Sequence, residues 1–60
     1  MSKKRLNELK RESYSLFVQA EDYLAEHRNA DGSVSEEVWY NYRTIYDKAI
    51  LISNIVRANE

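Results

Sequence analysis

Apolar residues recur at alternating intervals of three and four in two long stretches of this chain, and a short polar stretch separates them. In the first, Leu6, Leu9, Ser13, Leu16, Ala20, Tyr23 and His27 form one continuous stripe. In the second, Val38, Tyr42, Ile45, Ala49, Ile52 and Val56 repeat the spacing more cleanly through nearly three heptads. Spacing of this kind places side chains on one face of an α-helix, and the strict alternation of a half-buried strand is missing. The pattern predicts an all-α fold, an antiparallel two-helix hairpin. We expect helices over about residues 3–28 and 35–58, a turn over 29–34, and one domain over 1–60.

The two stripes differ in quality. Ser13 and Ala20 are small and leave room for bulk from the facing helix. Tyr14 and Val18 lie off the first stripe, where they offer a second, weaker contact face. Lys10, Arg11, Glu21 and Glu26 lie on the opposite side and read as solvated. In the second stretch Trp39, Tyr46, Ile50, Leu51 and Ile55 add apolar surface beside and behind the stripe. The run from Ala49 to Val56 is apolar almost all round, a perimeter that one neighbouring helix cannot cover. The hairpin is therefore expected to associate into a helical bundle. The expected interface comprises Val38, Trp39, Tyr42, Ile45, Tyr46, Ala49, Ile52, Ile55 and Val56, with Leu16 and Phe17 from the first helix. Tyrosine and tryptophan suit such a role because each buries a large ring and keeps a polar handle. Tyr42 and Tyr46 are expected in the core and Tyr40 in solvent.

The bend between the stripes holds the only glycine. His27 and Arg28 suit a helix C-terminal turn, where cations meet the negative end of the dipole. Asn29 can take a left-handed conformation there, and Asp31-Gly32 supplies turn chemistry. Ser35 fits as the N-cap of the second helix, with Glu36 and Glu37 in the first turn, where negative charge is favourable. In that frame Val34 and Trp39 have the spacing of a hydrophobic staple, which favours Ser35 over the competing pair Ser33 and Glu36. Read as an EF-hand loop, the same bend places His27 at position one and Val38 at position twelve. The leading aspartate and the bidentate glutamate are then both missing, so no calcium site is expected.

Composition narrows the function classes. Sixty residues without cysteine exclude disulfides and cysteine-based zinc sites. A core this small barely offsets the conformational entropy of folding, so stability is expected to come from close helix packing, a partner or a larger parent chain. The net charge of -1 gives no general attraction to nucleic acid or anionic membrane. Lys3, Lys4, Arg5, Lys10 and Arg11 crowd the first eleven residues against Glu8 alone. They read either as a solvated terminus or as an electrostatic arm for a phosphate or an acidic partner, and the charge balance elsewhere favours the terminus. A DNA-reading helix-turn-helix is disfavoured, since the link is too long and the second helix opens with Glu36, Glu37 and aromatics. No apolar run is long enough to span a bilayer, and none follows the basic N-terminus as a signal peptide would require. A cytoplasmic setting is expected. One histidine, no thiol and no glycine-rich loop leave no catalytic constellation. We expect no enzyme, no cofactor, no metal and no small-molecule substrate. Partners are expected to be further copies or another protein, reached by helix-helix packing.

The basic N-terminus ending in Leu6-Asn7-Glu8-Leu9-Lys10-Arg11 leads into the first helix. The Asn29-Ala30-Asp31-Gly32-Ser33-Val34-Ser35-Glu36-Glu37 link and a second helix with Tyr42, Tyr46 and Ile50 follow. This layout resembles the N-terminal scaffolding (delta) domain of tailed-phage major capsid proteins of the Hong Kong phage type. The resemblance implies a segment that steers procapsid assembly through helix-helix contacts in the host cytoplasm and is removed or released before maturation. The alternative is a small standalone regulatory protein that dimerises as a four-helix bundle and binds a partner protein.

Overall fold

The computed structural model describes residues 1–60 as two helices, α1 over Lys3–Glu26 and α2 over Glu36–Ala58. They lie antiparallel along one seam, in an elongated body of 46 × 14 × 12 Å between Cα extremes. With no proline and one glycine in the chain, neither helix meets an interior breaker.

Side chains near each helix end satisfy backbone groups that the helix itself cannot. The Ser2 hydroxyl accepts the Arg5 N–H at 3.1 Å, which caps the start of α1 although Lys3, Lys4 and Arg5 oppose the dipole there. The Ser35 hydroxyl accepts the Val38 N–H at 3.2 Å, so Ser35 rather than Ser33 caps α2. At the end of α1 both the backbone N–H of His27 and its ring Nδ1 reach the Tyr23 carbonyl, at 3.2 and 2.9 Å. Because that oxygen can only accept, Nδ1 carries a proton. The His27 ring also packs on the Tyr23 ring at 4.3 Å.

This arrangement ends α1 at Glu26, two residues before the expected Arg28. Nor does Asn29 turn left-handed: the only positive φ in the chain is that of Gly32, +88°. The reason is local. Asn29 closes the loop instead of capping the helix, its N–H donating to the Ser33 carbonyl at 2.8 Å and its own carbonyl accepting the Gly32 N–H at 2.9 Å. Its side-chain amide donates to the Ser33 hydroxyl. The Asp31 carboxylate accepts both the N–H and the hydroxyl of Ser33, at 3.0 and 2.6 Å. Those two bonds, the hydroxyl's first, hold the Asp31 pKa below its ordinary value.

The core is a single layer. Leu9, Ser13, Ala20 and Leu24 of α1 and Ala49 and Val56 of α2 are its buried residues. Leu6, Leu16, Phe17 and Tyr23 half-bury around them from one side, and Val38, Tyr42, Ile45, Tyr46 and Ile52 from the other. Both stripes thus face the seam, apart from His27, which lies beyond the end of α1 and is exposed. Ala20 and Ala49 have no accessible surface, the mark of places where the helices approach closely. Ser13 is buried without cost because its hydroxyl donates to the Lys10 carbonyl at 2.9 Å.

Candidate association surface

Two flanks border the seam, and they differ in chemistry. Across the seam Phe17 is level with Tyr46, Glu21 with Tyr42 and Tyr23 with Asn41. At about 100° per residue, these pairs fix which further side chains share each flank.

The first flank is aromatic. The ring of Phe17 meets Tyr46 edge-on at 5.2 Å, Tyr46 lies 5.7 Å from Tyr42, and Tyr42 stacks on Trp39 at 5.5 Å. These are favourable separations for ring pairs. Tyr14, one turn before Phe17, and Ile50, one turn after Tyr46, continue the strip. Tyr14 is 71% exposed, Trp39 48% and Ile50 38%, so the strip opens to solvent. Near its acidic end the Tyr42 hydroxyl donates to the Glu21 carboxylate at 2.9 Å. That bond foremost, then partial desolvation and the nearby charge, raises the Tyr42 pKa above its ordinary value. Val34 and Trp39 line a shallow groove over the start of α2 with Tyr40 and Arg43.

The second flank is more polar. The Asn41 amide donates to the Tyr23 hydroxyl at 2.9 Å. Beside it a shallow groove is lined by the polar Ser15, Gln19, Asp22 and Glu26 together with Val18, Tyr23 and Ile45. This flank's outward apolar residues are Val18 of α1 at 40% exposed, and from α2 Ile55 at 41% and Leu51, on the back of the helix, at 62%.

The residues expected at an interface therefore fall into two groups. Ala49 and Val56 are buried in the seam, and Leu16, Val38, Ile45 and Ile52 are half-buried against the opposite helix. These six side chains spend most of their apolar surface inside the hairpin. Trp39 and Ile55 face outward, and Phe17, Tyr42 and Tyr46 contribute ring edges to the aromatic flank. The run from Ala49 to Val56 is only partly covered, with Ile50, Leu51 and Ile55 left exposed. Tyr14 and Ile50, absent from the expected interface, complete the aromatic strip. Their positions one turn from Phe17 and Tyr46 were the available signal.

Charge is segregated along the hairpin. The open end, residues 1–12 and 53–60, holds six Lys or Arg against three Glu, a net +3. The turn end, residues 20–43, holds two Arg against six Asp or Glu, a net -4. Only two ion pairs form, Arg5 with Glu8 at 3.4 Å and Lys10 with Glu60 at 2.9 Å, and both belong to the open end.

No three His, Asp or Glu side chains converge as metal ligands would, and no helix is long and apolar enough to cross a membrane. Comparison of the chain with protein-family models, with curated proteins and with solved structures finds no match.

Proposed function

We propose that this hairpin is a non-catalytic association module, acting by packing its outward apolar side chains against other helices. The observation that carries this reading is the set of large apolar side chains left in solvent on both sides of α2. Its scale is informative. The chain exposes 4731 Å², whereas a compact protein of its mass exposes about 4,100 Å². The excess of roughly 600 Å² is comparable to the ~800 Å² that each partner gives to a standard interface.

The resemblance to capsid scaffolding domains supplies a narrower form of the same reading. Many weak hairpin contacts, multiplied over neighbouring subunits, would guide procapsid assembly and then release. A single thin core layer with exposed aromatic and aliphatic residues suits contacts that must later come apart.

Sedimentation equilibrium from micromolar to millimolar chain tests the general reading. Association that grows with concentration supports it, and a monomer throughout overturns it. For the narrower form, the reading frame beyond Glu60 is decisive. Continuation into a long β-rich chain supports the capsid role, whereas a stop there favours a small dimeric regulator.

A further inference from the structure

Resting on the association reading, we propose that the partner is a second copy of this chain, laid antiparallel across the aromatic flank. The two hairpins then form a four-helix bundle about a two-fold axis near Phe17 and Tyr46.

The aromatic flank is the face on which aromatic rings from both helices meet across the seam, whereas on the other Val18 and Tyr23 of α1 and Ile45 of α2 line a groove whose remaining walls are polar. On the aromatic flank Tyr14 and Phe17 come from α1, and Trp39, Tyr46 and Ile50 from α2. On the other flank α1 presents Glu12, Gln19 and Glu26 beside Val18 and Tyr23, and the helical positions level with Ile55 are polar. The aromatic strip runs from Trp39, near the start of α2, to Ile50 and Tyr14, and net charge of opposite sign lies toward the two ends of the hairpin. A two-fold interface uses the same patch on both subunits, so that patch must complement itself. Reversed end for end, the hairpin taken as a whole does so in charge: counting every face, the +3 open end of each copy lies over the -4 turn end of the other. A parallel copy would set +3 against +3 and -4 against -4, which the same charges oppose. In size, a face 46 Å long and 14 Å wide between Cα extremes covers on the order of 600 Å² in projection, near the per-partner area of a standard interface.

The test combines two point variants with one distance. Tyr14 and Leu51 are both exposed, so Tyr14→Lys and Leu51→Lys should leave the hairpin folded, as helical circular dichroism would verify. Tyr14→Lys is expected to raise the dimer dissociation constant about tenfold or more, by placing a charge in a desolvated centre. Leu51→Lys should change it by less than about threefold, and added sodium chloride should weaken the wild-type dimer. Because the chain has no cysteine, a spin label at Ala30→Cys reports orientation alone. Antiparallel copies put the two labels near opposite ends of the 46 Å body, and parallel copies put them side by side. Close labels, a dimer indifferent to salt, or a dimer broken by Leu51→Lys but not by Tyr14→Lys overturns the proposal while association stands. A wild-type chain that stays monomeric overturns both.

Discussion

The Tyr42 hydroxyl donates its proton to the Glu21 carboxylate across the seam, at 2.9 Å, where the aromatic flank meets the acidic end of the hairpin. The bond lasts only while the phenol is protonated, which is why the Tyr42 pKa lies above its ordinary value. A raised folded-state pKa puts the stabilisation fully in place below the unfolded value of about 10. It is lost as pH rises through the folded value. Among the five tyrosines, Tyr42 should therefore be late to ionise, and Tyr42→Phe should remove a high-pH component from the tyrosinate absorbance titration. At neutral pH the loss in stability should stay below about 1 kcal/mol, because the bond is open to water. A titration unchanged by Tyr42→Phe would show that the bond does not persist in solution.

Gly32 sits at φ +88° with nothing within 4 Å of where a Cβ would stand. The cost of Gly32→Ala is then one of backbone conformation alone, on the order of 1 kcal/mol. Gly32→Asn should cost less, since asparagine visits positive φ more readily. Urea midpoints of the three proteins check the order, and an alanine variant as stable as wild type would mean the loop has another conformation within easy reach.

The cap of α2 separates two serines two residues apart. Ser35→Ala removes the acceptor for the Val38 N–H and should cost about 1 kcal/mol, while Ser35→Asp should be nearly neutral. Ser33→Ala leaves that cap intact and disturbs only the bonds to Asp31 and Asn29. Its effect should be the smaller of the two and confined to loop amide shifts. Equal losses of helix at both positions would mean that the two caps exchange.

A one-layer core has few residues to lose. Leu24 is buried and Ala49 has no accessible surface, so each change there is felt in full. Leu24→Ala should cost about 2–5 kcal/mol, close to the whole stability such a small core can supply, and should leave the chain largely unfolded. Ala49→Leu should cost about 1–3 kcal/mol by forcing the helices apart. Thermal melts at concentrations below self-association read both effects.

The seam itself was legible in the sequence, since Leu9, Ser13, Ala20, Ala49 and Val56 stand on the two stripes that the three-four spacing marks. So was Ser35, because the Val34 and Trp39 spacing chose between two caps that differ by little in propensity. The end of α1 was less legible. Whether Asn29 caps the helix or closes the loop depends on the carbonyl and hydroxyl of Ser33, and periodicity carries no information about that choice. The split between apolar surface used in the seam and surface left outside was also hidden. It follows from the rotation of each helix about its own axis, which the Phe17 and Tyr46 contact reveals and a list of apolar positions does not.

Trp39 offers a readout of the aromatic flank in the unmodified protein. It is the only tryptophan, nearly half exposed, and stacked on Tyr42 at 5.5 Å. In the isolated hairpin one edge of the indole is wet. Association across this flank would remove that water, while association through Leu51 and Ile55 would leave the indole as it is. The emission maximum should therefore shift to shorter wavelength as chain concentration rises, in step with the sedimentation isotherm. In Tyr14→Lys the shift should move to higher concentration together with the dimer. Trp39→Ala should weaken association by about 1–3 kcal/mol, the range of a buried aromatic anchor, and should disturb the fold little because Ala49 and Val56 hold the seam without it. A dimer that forms with no change in tryptophan emission would place the contact on the other flank.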